Sequence, residues 1–517
     1  MNDINKEDYV LLMDNITKIY SNGFVANKDV TLAVKKGEIH ALMGENGAGK
    51  TTLMKVLFGI ETPEEGKIYL SGKEVSIQNP QHAISMGIGM VHQHFMLVES
   101  LSVAENLILG VEPKTNGLLD FKKAVQQSQE ICEKYNFKID PTAKIKDLPV
   151  GQKQKVEILK ALLRGAKILI LDEPTAVLTP QETDELFVQL KLLRENGHTI
   201  IFISHKLNEI KAICDRITVL RQGKYIGSED VSKLSEEDIS RMMVGRDIVL
   251  KFDKEKADPD KLVLDVRHLT KIVDGKKALD NVTFQLKSGV ILGVAGVEGN
   301  GQKELSEIIT GMDDFLEGHV VINGTTIKDK TIREIREIGV AHISEDRMTY
   351  GCAQNSSVWE NIISTRFYKE EYGQKGILDL KKIKDLSAKL RERFSIKCDD
   401  VNQPVKMLSG GNIQKVVVAR EFSDASNLII ANQPTRGIDI GATEMIRKEL
   451  IRLSREGRAV LLISADLNEV LELSDSLIVM YDGKIAAYFE DASTVDEYEL
   501  GKYMLGIKKQ EVNVNEQ

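Results

Sequence analysis

The second half of this chain repeats its first. The run Ile16–Leu53 returns as Leu269–Leu305. Leu148–Gln154 returns as Leu408–Gln414 and Ile168–Thr175 as Leu428–Thr435, both at an offset of 260 residues. Asp215 and Asp475 keep that offset, as do Gly223–Lys224 and Gly483–Lys484. A period of half a chain is too long for a solenoid. It indicates a duplicated domain, whereas length alone, 517 residues at roughly 150 per domain, suggests about three. The expected division is a first domain over 1–247, a charged, Pro-containing linker over 248–261, a second domain over 262–507 and a loose polar tail over 508–517.

Within each repeat, short apolar runs such as Ile39–Met43, Ile168–Leu171 and Thr199–Ile203 read as buried strands. Gln181–Arg194 carries Leu186, Phe187, Leu190 and Leu193 at helical spacing. Strands alternating with helices predict a layered α/β core on a parallel sheet. Leu101 to Lys146 lacks strong strand runs and reads as a mostly helical insert. Hydrophobic residues make up 42% and charged residues 28%, enough for large cores. The net charge of -9 opposes non-specific binding to nucleic acid, because phosphate repels it. Cys132, Cys214, Cys352 and Cys398 lie far apart, which fits neither zinc nor a disulfide framework and suits a reducing compartment. No secretory leader is evident, and no run reaches the ~18 apolar residues of a spanning helix. Any work at a membrane is therefore expected through a partner.

Gly44-Glu45-Asn46-Gly47-Ala48-Gly49-Lys50-Thr51-Thr52 fits the phosphate-loop pattern, with a strand-like run before it and a helical run after it. Its glycines let successive backbone N–H groups turn onto phosphate oxygens, and the helix N-terminus adds partial positive charge. Lys50 supplies a full charge near the β- and γ-phosphates, and Thr51 a hydroxyl for Mg²⁺. Ile168–Leu171 ends in Asp172 and Glu173. Two acids at a buried strand end are costly without a cation, and Mg²⁺ is the candidate. Asp172 would hold it through water, and Glu173 would polarise the attacking water.

The order of these segments, with the Leu-Ser-Gly-Gly-like run between them and Ile203-Ser204-His205 after them, resembles that of ABC-type ATPase domains, twice over. The fold this implies is two tandem P-loop ATPase domains, each an α/β core with a helical insert, and ATP with Mg²⁺ as the substrate. By that resemblance Gln93 is the loop glutamine that reaches Mg²⁺ and communicates with a permease. His205 is the switch histidine at the γ-phosphate, and Tyr20 the aromatic that stacks on adenine. A single histidine at a strand end or a single tyrosine is ordinary core furniture, and it is the joint order that carries these roles. The resemblance also implies that ATP is sandwiched between one domain's phosphate loop and the other's signature.

Sorted by composite site, the substitutions fall on one side. The first phosphate loop keeps every named group and faces Leu408-Ser409-Gly410-Gly411-Asn412, where only the final amide departs from the usual glutamine. Ser409, Gly410 and Gly411 would cap the γ-phosphate. In the second loop, from Gly296 to Lys303, Gln302 replaces the lysine and Lys303 the magnesium hydroxyl. Asn432 and Gln433 replace the acids, Glu345 the loop glutamine, Ala465 the histidine and Val273 the aromatic. The facing signature reads Leu148-Pro149-Val150-Gly151-Gln152. Losing a unit charge 4 Å from a phosphate forfeits up to about 4 kcal/mol at an effective dielectric of 20. Losing the base removes about 10² to 10⁴ in rate. Site one is expected to hydrolyse ATP and site two is not. Whether Lys303 stands in for a metal or lies in solvent is left open by the sequence.

Ser344–Arg347 and Gln433–Asp439 resemble the simple-sugar and nucleoside importer branch, and Val91–Val98, Val150 and Ala176–Glu182 are closer to its nucleoside members. That resemblance implies a peripheral ATPase on the cytoplasmic face of the cell membrane. Its partners would be two transmembrane permease subunits and an extracellular solute-binding lipoprotein, with coupling through Gln93 and docking over His94–Gly110. The alternatives are a monosaccharide importer and, from another class, a soluble tandem ATPase acting on ribosomes or nucleic acid.

Overall fold

The computed structural model describes residues 5–510 other than 22, 46, 93–94, 177, 205, 246–253, 255–256, 298 and 375–376. The chain divides into two compact units, Met1–Ile248 and Val249–Gln517.

In the first unit the expected buried strands are present. Ile39–Met43, Ile168–Asp172 and Thr199–Ile203 have all five residues buried. Such uninterrupted apolar runs suit strands covered on both faces. They pair in parallel, with Thr199–Ile203 central between the other two, and Ile88–Val91 and Arg216–Arg221 extend the row at either side. Ile203 is level with both Leu42 and Asp172, so the loops that follow these strands leave the sheet at the same edge. Lys224–Asp230 pairs antiparallel with Arg216–Arg221, and an antiparallel ribbon of Leu11–Ile19, Val25–Val34, Glu65–Leu70 and Lys73–Val75 joins it through a single pairing, Lys224 with Lys28, completing a ten-stranded sheet.

Helix Pro180–Glu195 buries Leu186, Phe187, Leu190 and Leu193, the face its spacing predicts. It starts where Thr179 and Glu182 form a reciprocal cap and Pro180 occupies the first turn. The insert is mostly helical, with Val103–Ile108 and Phe121–Lys134, but it also holds a short hairpin, Lys114–Thr115 with Leu118–Leu119.

The second unit repeats this plan. Five parallel strands, in the order Val340–Ile343, Leu428–Asn432, Ala459–Ile463, Ile291–Ala295 and Ser476–Tyr481, are closed by the antiparallel Lys484–Phe489. Here the antiparallel ribbon is a separate four-stranded sheet. The repeated aspartates do the same job in both halves. Asp215 accepts from the Ile39 N–H (2.9 Å) and pairs with Arg194, and Asp475 accepts from the Ile291 N–H (2.8 Å) and pairs with Arg455. The start of the tail is held rather than loose: the Gln510 N–H donates to Ala486 O, and the Gln510 side chain accepts from the Tyr488 N–H. Residues 511–517 lie outside the described part, as does most of the expected linker.

Candidate active site

The first phosphate loop runs between strand Ile39–Met43 and helix Lys50–Leu57. Glycine is required at two of its turns. Gly49 sits at φ +94°, and a Cβ there would lie 2.3 Å from Asn27 Nδ2 and 2.5 Å from Ala26 O. A Cβ on Gly44 would lie 2.3 Å from Leu220 O. The backbone can therefore close into a nest only without side chains at these points. Gly47 lies on the open side and Ala48 is buried.

Lys50 is buried and curls back over the loop, donating to Gly44 O (2.7 Å) and Glu45 O (3.1 Å). Burial pushes its ammonium pKa down, while Glu173, Asp172 and Glu45 oppose that. Thr51 is exposed on the first helical turn. Thr52 Oγ1 lies 3.2 Å from the Tyr20 hydroxyl, which ties the half-buried tyrosine to this helix.

Asp172 ends its strand 7% exposed. Burial and the neighbouring Glu173 push its carboxyl up to about 6, against the pull of Lys50. Two crowded carboxylates facing one lysine are a donor set that suits a divalent cation. Glu173 turns out of the strand at φ +48°, a conformation uncommon for a side-chain-bearing residue. It is held there by its N–H on Ile203 O (2.9 Å). Gly44, Glu45, Gly47, Ala48, Gly49, Lys50, Thr51, Thr52, Asp172 and Glu173 thus gather at one edge of the sheet. Asn46, Gln93 and His205 lie outside the described residues, as does His94 at the start of the expected docking segment.

Two residues that the sequence reading passed over support this edge. Asn27, fully buried, donates to Gly49 O (3.1 Å) and so holds the loop from the neighbouring strand. Glu209, also buried, accepts from Thr175 Oγ1 (2.8 Å) and Ser204 Oγ (2.7 Å), tying the turn after the acid pair to the end of the next strand. Glu469 stands 260 residues on and accepts from Thr435 Oγ1 (2.7 Å). That repeated acid was the available signal.

In the second unit Ser409 precedes helix Gly410–Phe422 without capping it. Its hydroxyl instead accepts from the Asn412 amide (2.8 Å), so the asparagine that replaces the usual glutamine positions the signature serine. The first unit's signature helix, Val150–Leu163, begins after Pro149 and has no side-chain cap.

The substituted groups of the second phosphate site are engaged by their own unit. Gln302 Nε2 donates to Val297 O (3.2 Å), and a Cβ on Gly296 would lie 2.1 Å from that nitrogen. The amide therefore lies over the loop as Lys50 does in the first unit, but without a charge. Gln433 Oε1 accepts from the Ala465 N–H (3.2 Å), and Glu345 is ion-paired with Arg436. Lys303 is 62% exposed, with Glu307 at 3.9 Å one turn on.

A fold present twice, with a signature helix in each copy and this loop and acid pair intact in the first, defines a P-loop nucleotide-hydrolysing protein. The family model "ABC transporter" matches residues 27–176 and 279–436. The guanosine import ATP-binding protein NupO of Bacillus subtilis (strain 168) is 45% identical over 98% of this chain and 99% of its own. The nucleoside import ATP-binding protein NupA of Lactococcus lactis subsp. cremoris is 43% identical over 96% and 98%. The glucose import ATP-binding protein TsgD13 of Haloferax volcanii is 42% identical over 96% of each. The chain belongs to the ABC transporter family; it binds ATP and is an ATPase of that family.

Proposed function

We propose that this chain is the ATP-hydrolysing pair of a membrane importer whose cargo is a nucleoside, with one competent and one degenerate composite site. Residues 1–247 supply the competent loop, 262–507 supply the competent signature, 248–261 link them and 508–517 follow. The observation that carries this reading is complementarity. Every group needed for hydrolysis is kept on the first loop and the second signature, and the losses fall on the opposite pairing. The nucleoside assignment rests on likeness to the guanosine and nucleoside importers. The glucose importer at nearly equal identity keeps a monosaccharide as the second reading.

ATP would lie with its adenine on Tyr20 and its phosphates in the nest from Gly44 to Thr52, Asn46 included. Lys50 would neutralise the β- and γ-oxygens. Thr51, Asp172 and Gln93 would hold Mg²⁺, which when bound screens phosphate charge. Glu173 takes the proton of the attacking water, His205 contacts the γ-phosphate, and Ser409 with the Gly410 and Gly411 amides caps it from the other unit. No helix among the described residues is long and apolar enough to cross a membrane. By likeness to the import ATP-binding proteins, transport in this reading uses two permease partners together with an extracellular solute-binding lipoprotein. The chain would sit on the cytoplasmic face of the membrane. Met96, Val98, Leu109 and Val111 leave apolar surface exposed within and beside the segment 94–110, which supports docking there.

Glu173→Gln is expected to keep ATP binding and lose turnover by about 10² or more, whereas Gln433→Glu leaves turnover unchanged. ATPase assays on the two purified variants check this, and near-parental hydrolysis by the first refutes the base assignment. Co-purification with permeases, against ribosomal particles, tests transport. Calorimetry of nucleosides and monosaccharides on the partner lipoprotein tests the cargo.

A further inference from the structure

In the second unit the loop at the position of the magnesium-sensing loop is pinned by charged side chains. Glu345 pairs with Arg436. Two residues on, Arg347 donates through NH1 to Arg436 O (2.6 Å) and through NH2 to Gly437 O (3.2 Å). Asp346 between them caps the following turn, accepting from the Met348 and Thr349 N–H groups (2.9 Å each). The same guanidinium abuts the signature, since a Cβ on Gly410 would lie 3.0 Å from Arg347 NH2. A Cβ on Gly411 would lie 2.6 Å from Asp439 Oδ2, and Asp439 caps the next helix through the Ala442 N–H (2.7 Å). Three segments, 345–347, 409–411 and 436–439, therefore meet around one guanidinium and one carboxylate. The two signature glycines are what let them approach so closely. The first unit has Phe95 and Ala176 at the positions of Arg347 and Arg436, so it lacks the charges for either interaction.

We propose that Arg347 and the Glu345–Arg436 pair are positioning residues for hydrolysis, holding Ser409–Gly411 as a preset lid whatever the state of the second unit's own phosphate loop. A planar guanidinium forked onto two carbonyl oxygens fixes distance and direction together, which a lysine cannot do. The loop that carries Gln93 has to respond to metal and nucleotide. Its counterpart carries Glu345, an acid already neutralised by Arg436, and has nothing to sense. The clamp rests on the reading that this signature closes on ATP held by the first unit.

Full-length variants assayed for ATP hydrolysis, and for hydrogen–deuterium exchange without nucleotide, test the proposal. Arg347→Ala is expected to speed exchange over 408–414 and 436–439 and to lower kcat about tenfold with KM for ATP little changed, because the lid acts in the transition state while Tyr20 and Lys50 hold the ground state. Glu345→Arg and Arg436→Glu should each lower kcat, and the two together should restore most of it. Should Arg347→Ala fold poorly, this charge swap is the deciding series. Ser409→Arg separates the two readings. If it hydrolyses at the parental rate, the composite site is wrong. If it is inactive while Arg347→Ala and the single swaps keep parental exchange or parental kcat, the clamp is overturned.

Discussion

At the scale of the residue, the loop is shaped by where side chains cannot go. Gly49 combines a left-handed conformation with strand backbone and Asn27 occupying the place a Cβ would take. Alanine there costs about 1–2 kcal/mol for conformation alone, before the strand gives way. Gly49→Ala is therefore expected to weaken ATP binding at least about tenfold with the rest of the unit folded. Titration with a fluorescent ATP analogue, with circular dichroism as the folding control, checks it. The loop and the acid pair were legible in the sequence because phosphate chemistry fixes both residue types and spacing. Asn27 and Glu209 were not, because a polar residue in an apolar run declares itself as support only once its partner across the sheet is known.

Among elements, the second unit carries a buried ionic joint for which the first has no counterpart. Glu421, at the end of helix Gly410–Phe422, accepts from Arg336 (3.0 and 3.3 Å), Arg420 (2.7 Å) and the His342 N–H (3.1 Å). It thereby ties helix Ile332–Glu337 and strand Val340–Ile343 to the signature helix. The corresponding residues of the first unit are Ile84, Met90, Lys160 and Ala161. Burial alone would raise this carboxyl, but the two guanidiniums more than offset it and hold Glu421 at about 2, against 4.5 for a free glutamate. A depressed carboxyl stabilises the fold above its unfolded pKa, and that contribution fades as pH falls through the folded value. The window here runs from 4.5 down to about 2, and the shift corresponds to about 3 kcal/mol. Glu421→Gln should therefore destabilise the second unit by about 3 kcal/mol at pH 7, since it leaves the buried Arg420 and the half-buried Arg336 without this counter-charge, and the gap should narrow below pH 4.5. The chain has a single tryptophan, Trp359, in that unit, so urea melts followed by its fluorescence report the difference. The strands and the insert were legible from apolar runs and their absence. The insert's hairpin was not, because two-residue strands with exposed Leu118 and Leu119 leave no periodic signal.

For the molecule as a whole, the duplication was plain in the sequence, and so was the sorting of losses onto the second phosphate loop and the first signature. What the sequence hid is how the losses are accommodated, with Gln302, Gln433 and Glu345 each bonded within their own unit. The backbone beneath them has not followed the side chains. Gln433 turns at φ +50° with its N–H on Ile463 O (2.7 Å), matching Glu173 at φ +48° on Ile203 O. The half proposed to be degenerate thus retains a socket with the bend of its counterpart, and re-arming it calls for new side chains on an old bend. In a Lys50→Ala background, which should abolish all turnover, introducing Gln302→Lys, Lys303→Thr, Asn432→Asp, Gln433→Glu and Ala465→His, with Pro149→Ser and Val150→Gly opposite, is expected to bring measurable phosphate release back from the dormant side.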